Sequence, residues 1–238
     1  MEAYVNLIQT YRGRDKMIRL CTYAATFLSG ASRGKLAEKF GALAIPLGKC
    51  RVVLRLFDDL PMILYARKLG LMKQEKNLLL QLLGVAQNIA NLCYFPVEHI
   101  AFGGDLKLWD VNSPKWWTTG IAIWATSLIT GILRSLIKII LLRQERHKLA
   151  REQGHEGRED PDLSSVPKFS VRKLKKEELD EILAFFKNSF DLLNAVNWLP
   201  KGFLWAGKFS TMQSGLWGLI STSIGLYELY SQAKEKTS

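Results

Sequence analysis

Glu98 and His99 stand side by side, the residue types of a general acid–base pair, and Asp58 and Asp59 form a carboxylate doublet. Neither arrangement makes a catalytic site. Adjacent residues on a helix do not face one another, so Glu98 and His99 point apart. Arg51 and Arg55 precede the doublet by one or two turns, and helix-surface ion pairs are its simpler account. The histidines His99, His147 and His155 show no H-E-x-x-H or Cys/His spacing for a metal. Cys21, Cys50 and Cys93 are odd in number and far apart, which argues against a disulfide framework. They are expected as small buried core residues in a reducing compartment. No P-loop, no G-x-G-x-x-G and no G-x-S-x-G occurs. The expectation is a protein that is not an enzyme and that has no cofactor and no metal.

The chain carries a formal charge of +11 over 238 residues, of which 48% are hydrophobic and 23% charged. Such an excess suits either nucleic acid or the anionic face of a bilayer. No zinc-finger spacing, aromatic RNA-binding signature or long basic arm accompanies it, so nucleic acid is set aside. The first residues lack the basic-then-apolar order of a secretory signal, and the last, KEKTS, are not the peroxisomal S-K-L tripeptide. Any targeting is expected to be internal.

Helical spacing dominates the first part of the chain. Residues 3–30 repeat apolar positions at three and four, with Arg12, Arg14, Lys16 and Arg19 mostly opposite. Residues 47–69 give a second helix. On it Cys50, Val53, Phe57, Leu60 and Leu64 fall together, and Arg51, Arg55, Asp58, Asp59 and Met62 fall in the opposite arc. Pro61 should kink or end it. It reads as a bundle helix facing a core, or as one that lays its apolar face shallowly into a bilayer. Residues 77–97 contain no charge and are long enough to span, but Gln81, Asn88 and Asn91 make a polar stripe that lipid would leave unsatisfied. A bundle helix is the preferred reading there.

After a turn-rich stretch, 101–115, the run 116–133 has no charge. At 1.5 Å per residue it extends about 27 Å, close to the ~30 Å of a hydrocarbon core. Trp116 and Trp117 sit where an interfacial aromatic belt would place them, and Arg134 and Lys138 could snorkel at the other end. Residues 143–181 read as a charged linker, with a flexible loop at 153–162 and a helix restarting at 171. A second uncharged run, 210–227, is rich in Gly, Ser and Thr and ends near Tyr227 and Tyr230. The expected fold is all-α: an N-terminal bundle of amphipathic helices (1–115), a transmembrane helix (116–142), a charged linker with an amphipathic helix (143–209), a second transmembrane helix (210–230) and a tail (231–238). The membrane-interface anchors are Trp116, Trp117 and Tyr227.

Five strings keep their order along the chain: YRGRDKMIRL (11–20), CRVVLRLFDDLPM (50–62), YFPVEHIAF (94–102), WWTTGIAIWATSLITGILRSL (116–136) and NAVNWLPKGFLWAGKFS (194–210). In these the chain resembles the peroxisomal membrane protein 11 family, and within it the gamma type. The linker 143–175 has no such match. The resemblance implies a multi-pass protein of the peroxisomal membrane with both termini in the cytosol. It implies elongation and curvature of that membrane before fission, in oligomers with itself and sister isoforms. The implied partners are peroxisomal lipids, a fission adaptor that recruits a dynamin-related GTPase, and the import receptor for peroxisomal membrane proteins.

By the same resemblance, the membrane-remodelling amphipathic helix corresponds to 47–59. Asp58 and Asp59 lower the charge of its polar arc, which suits a modulating isoform better than a lone tubulator. Two other functions stay open: a pore for small metabolites lined by Gln81, Asn88 and Asn91, and an adaptor that only binds sister isoforms. The positive-inside rule favours a cytosolic 143–181 linker, in tension with two cytosolic termini around spans at 116–142 and 210–230; the resemblance is preferred.

Overall fold

The computed structural model describes residues 2–69, 75, 77–156 and 165–237. Every regular element among them is a helix: α1 (Glu2–Gln9), α2 (Tyr11–Ala31), α3 (Lys35–Arg55), α4 (Asp59–Leu69), α5 (Leu78–Asp105), α6 (Ser113–Glu156), α7 (Ser165–Asn197) and α8 (Thr211–Thr237). The all-α expectation is met.

Short polar side chains start these helices. Thr10 Oγ1 accepts from the Gly13 N–H at 3.0 Å, which divides the expected 3–30 helix into α1 and α2. Asn77 Oδ1 accepts from the N–H groups of Leu79 and Leu80 and opens α5. Asn112 does the same for Lys115, so Asn112-Ser113-Pro114 is the start of α6 rather than loop alone. Ser210 and Gln213 bond each other's backbone N–H reciprocally, a capping box for α8.

Two expected elements change shape. The 47–69 helix is not continuous. It breaks over 56–58, where N–H groups reach back only three residues, and Pro61 sits harmlessly in the first turn of α4. α5 runs through Pro96 to Asp105, beyond the expected end near 97. The charged linker is largely helical as well, since α6 continues to Glu156; residues 157–164 of the expected loop lie outside the described residues.

Successive helices pack antiparallel. α5 lies on α6, α6 on α7, α7 on α8, and α8 on α2, which forms a hairpin with α3. Arg55 of α3 pairs with Glu98 of α5, and His99 Nε2 lies 3.3 Å from Asp59, so the row of helices closes on itself. Among the described residues, α5 and α6 are the two helices long and apolar enough to cross a membrane. The 210–230 segment, expected as the second such helix, does not reach that hydropathy in α8, because Gly, Ser and Thr replace aliphatic residues.

The bundle buries polar side chains beside apolar ones and carries many large apolar side chains on its outside. Its largest fully buried side chains among the described residues are Glu98, Asn194, Thr222 and Ser221. Many large apolar side chains face outward, among them Ile45, Leu82, Ile89, Ile129 and Ile140. Buried polar side chains together with exposed large apolar ones are an unusual combination for a water-soluble domain. Interior hydroxyls bond their own helix: Ser221 Oγ and Thr222 Oγ1 donate to the Gly218 carbonyl at 3.1 and 2.6 Å.

Candidate membrane-contacting face

The outward face of α3 and α4 is set by what their arginines reach inside. Arg51 Nε lies 3.0 Å from Asp15 Oδ1 on α2. Arg55 grips Glu98 with both Nε (3.0 Å, to Oε2) and Nη2, and Glu98 also accepts from the Tyr94 hydroxyl at 2.8 Å. These partners lie on other helices. The expected surface pairing of Arg51 and Arg55 with Asp58-Asp59 is therefore corrected: the two arginines turn to partners on other helices, while Asp59 stays partly exposed beside His99. Inside the bundle the bidentate contact to Glu98 offsets part of the solvation that Arg55 gives up.

With Arg51 and Arg55 turned in, the opposite side of the helix must turn out. Cys50 is exposed, and so are Val53 (44%), Phe57 (73%), Leu60 (73%) and Leu64 (64%). Phe57 stands on the 56–58 break, so the apolar row rounds an elbow and continues along α4. Ile63 and Tyr65 add to it; a helical wheel drawn through the break places them elsewhere. The expected reading of this row as facing a core is overturned. Asp58 is half-buried beside the elbow, and burial together with the nearby Asp15 pushes its carboxyl above the ordinary range.

Cys21 and Cys93 are exposed too, so all three thiols lie outside the core against expectation. A small weakly polar side chain is tolerated on an apolar outer face as well as within. Glu98 and His99 point apart as expected; His99 Nδ1 approaches the Phe95 carbonyl at 2.6 Å.

The aromatic anchors fall at two ends of the bundle. Trp116 and Trp117 are half-buried at the start of α6, where Trp117 Nε1 donates to Asp105 Oδ2 at 2.8 Å. Trp109 joins them from the α5–α6 loop, donating to the Ile100 carbonyl at 3.0 Å. Tyr227 is exposed near the opposite end, one residue from Glu228, which pairs with Lys187 of α7. Of the polar stripe, Asn91 accepts from Ser127 Oγ at 2.6 Å, and Asn88 and Asn91 line a cavity that Gln81 does not reach.

Residues 1–230 match the family described as peroxisomal biogenesis factor 11 (PEX11). The chain is 33% identical over 234 residues to peroxisomal membrane protein 11C of Homo sapiens, covering 96% of this chain and 93% of that protein. It is 34% identical over 221 residues to the Mus musculus protein of the same name, covering 90% and 88%. No solved structure matches. A family match along nearly the whole length, with relatives above the 30% level, agrees with the five ordered strings, and the chain belongs to the peroxisomal biogenesis factor 11 family.

Proposed function

We propose that the protein is an integral component of the peroxisomal membrane that elongates and curves it during proliferation and fission. The observation that carries this reading is the apolar row Cys50, Val53, Phe57, Leu60 and Leu64, which leaves the bundle around the α3–α4 elbow. Seated in one leaflet, the row acts as a wedge that expands that leaflet and favours curvature. α5 and α6 hold the protein in the bilayer, and association with itself and with sister isoforms concentrates the wedges. The fission adaptor, its dynamin-related GTPase and the membrane-protein import receptor are the partners this role calls for.

Full burial of a Val and a Phe contributes up to about 1.5–3 kcal/mol each to membrane seating. Replacing both Val53 and Phe57 with Glu removes that contribution and adds two charges. Peroxisomes in cells expressing the double variant should fail to elongate while the variant still reaches them. Elongation at the wild-type level would sink the wedge. Binding to sister isoforms without any lipid binding by the protein would instead support a pure adaptor.

A further inference from the structure

A cavity of about 320 Å³ lies between α5, α6 and α7, with Tyr65 of α4 at its edge. Four carboxamides line it: Gln87, Asn88 and Asn91 from α5, and Asn188 from α7. Its size is at the lower end of ligand pockets, roughly 300–1,000 Å³. Two polar atoms in its wall are buried without a hydrogen-bond partner among the described residues, the acceptor Asn88 Oδ1 and the donor Arg134 Nε. Asn88 is only 8% exposed. Buried polar groups are ordinarily paired, so these two, covered by protein on residues that line the cavity, are available to an occupant when their side chains turn toward it.

Gly131 makes the room. A methyl group there would come within 2.7 Å of Gln87 Nε2 and 2.8 Å of Asn188 Nδ2. Those two amide donors lie over bare backbone at the edge of the cavity.

The depth of the cavity identifies the source of that occupant. α5 has no charged residue from 77 to 97, and α6 none from 116 to 133. Arg134 is the first charge at this end, paired with Glu75 at 2.9 Å. Lys138–Glu181 (3.3 Å) and Arg143–Glu178 (2.6 Å) follow further out. The cavity thus sits where an apolar zone gives way to charge, which is headgroup depth when α5 and α6 cross a bilayer.

Its lining is sorted for a group carrying both signs. Arg134, Lys187, Gln87 Nε2 and Asn188 Nδ2 can donate to phosphate oxygens. Asn88 Oδ1 and Glu181 can accept from an ammonium or a hydroxyl. Lys187 and Glu181 are each held in an ion pair already, with Glu228 and Lys138. The cavity therefore has little net charge to offer a polyanion.

We propose that this cavity binds one phosphate-ester headgroup bearing an amine or a hydroxyl, supplied by a membrane phospholipid. The proposal rests on the membrane reading of α5 and α6.

The test uses the full chain purified in mild detergent and washed free of loose lipid. Native mass spectrometry reads lipid retention. Thermal unfolding is followed with added phosphatidylethanolamine or with water-soluble phosphoethanolamine. Wild type should retain one phospholipid and be stabilised by phosphatidylethanolamine. Gly131→Leu fills the cavity and Asn88→Leu removes the unmet acceptor; each should lower occupancy about tenfold, equivalent to roughly 1.4 kcal/mol. Leu82→Ala should leave the headgroup contacts and most of the retention intact. If Gly131→Leu does not fold, Asn88→Leu carries the test alone. Equal retention by wild type and Asn88→Leu overturns the site. Stabilisation by phosphoethanolamine as large as that by the lipid overturns the lipid assignment and makes the occupant a soluble phosphoester. Release of the wild-type chain from membranes by alkaline carbonate would count against the membrane reading instead, which keeps the two failures distinct.

Discussion

Arg19 and Asp191 are 172 positions apart and meet at 2.5 Å in the interior. Arg19 also donates to Ser221 Oγ at 3.3 Å and lies 5.4 Å over the Tyr23 ring. One guanidinium thus ties α2 to α7 and α8. Both charges are nearly fully buried, so the pair gives up most of its solvation and regains it only while both partners remain. Arg19→Met strands the carboxylate and should cost about 3–5 kcal/mol, whereas the double change Arg19→Met with Asp191→Leu should recover most of it. Thermal unfolding in detergent reads both; a double variant as unstable as the single one would mean that the pair is net stabilising. Asp58 makes the opposite case. Its carboxyl is raised, so the charged form is the one the fold disfavours. The penalty is absent below the unfolded pKa and is present in full above the raised folded one. Asp58→Asn should raise the unfolding midpoint at neutral pH and leave it unchanged in acid.

At the scale of the element, α2 and α8 touch through glycine. A methyl at Gly30 would fall 2.2 Å from the Met212 backbone nitrogen, and one at Gly215 would fall 2.4 Å from that of Phe27. Small residues let two backbones approach where lipid supplies no hydrophobic drive between helices. The Phe27 backbone cannot yield, so Gly215→Ala should destabilise by about 1–3 kcal/mol or more. Gly225→Ala meets nothing nearer than 3.7 Å and should be close to neutral in the same unfolding measurement. The Gly/Ser/Thr richness of 210–227 announces a helix contact, yet nothing local names the partner, because α2 lies two hundred residues upstream. The α3–α4 elbow was legible in part. Asp58-Asp59-Leu60-Pro61 has the acidic first turn and early proline of a helix start. A wheel drawn across 47–69 hides it, because the apolar arc stays in phase on both sides. The row Cys50–Leu64 was legible as a row; its outward direction was not. That direction depends on Asp15 and Glu98, acidic residues on other helices that capture the arginines.

At the scale of the molecule, buried polar side chains and exposed apolar ones support the proposed membrane setting, and α5 is the helix on which the proposed threading turns. Spans at 116–142 and 210–230 set a cytosolic linker against two cytosolic termini. With α5 crossing beside α6, that conflict disappears. The two form a hairpin whose short loop carries Lys107 and Asp110, while Arg134, Lys138, Arg143 and Arg146 gather at its other end. On the proposed threading, the positive-inside rule would put that other end in the cytosol together with everything before α5. α7 and α8 run antiparallel in turn, so whether they cross or lie on the membrane, the chain comes back to the side from which α5 left. The stripe Gln81, Asn88 and Asn91 had argued against α5 as a span. Asn91 is met by Ser127 of α6, and Asn88 faces a cavity rather than lipid. Intramembrane polar groups are tolerated where they face protein. In sealed peroxisomes, tags at both termini should be digested by added protease, and a tag in the 106–112 loop should be protected until detergent is added. Protection of one terminus only would require an odd number of crossings: either α5 leaves the membrane and the charge-free 116–133 run stays as the anchor, or one of α7 and α8 crosses without the other, and a protected 106–112 tag separates the second case from the first.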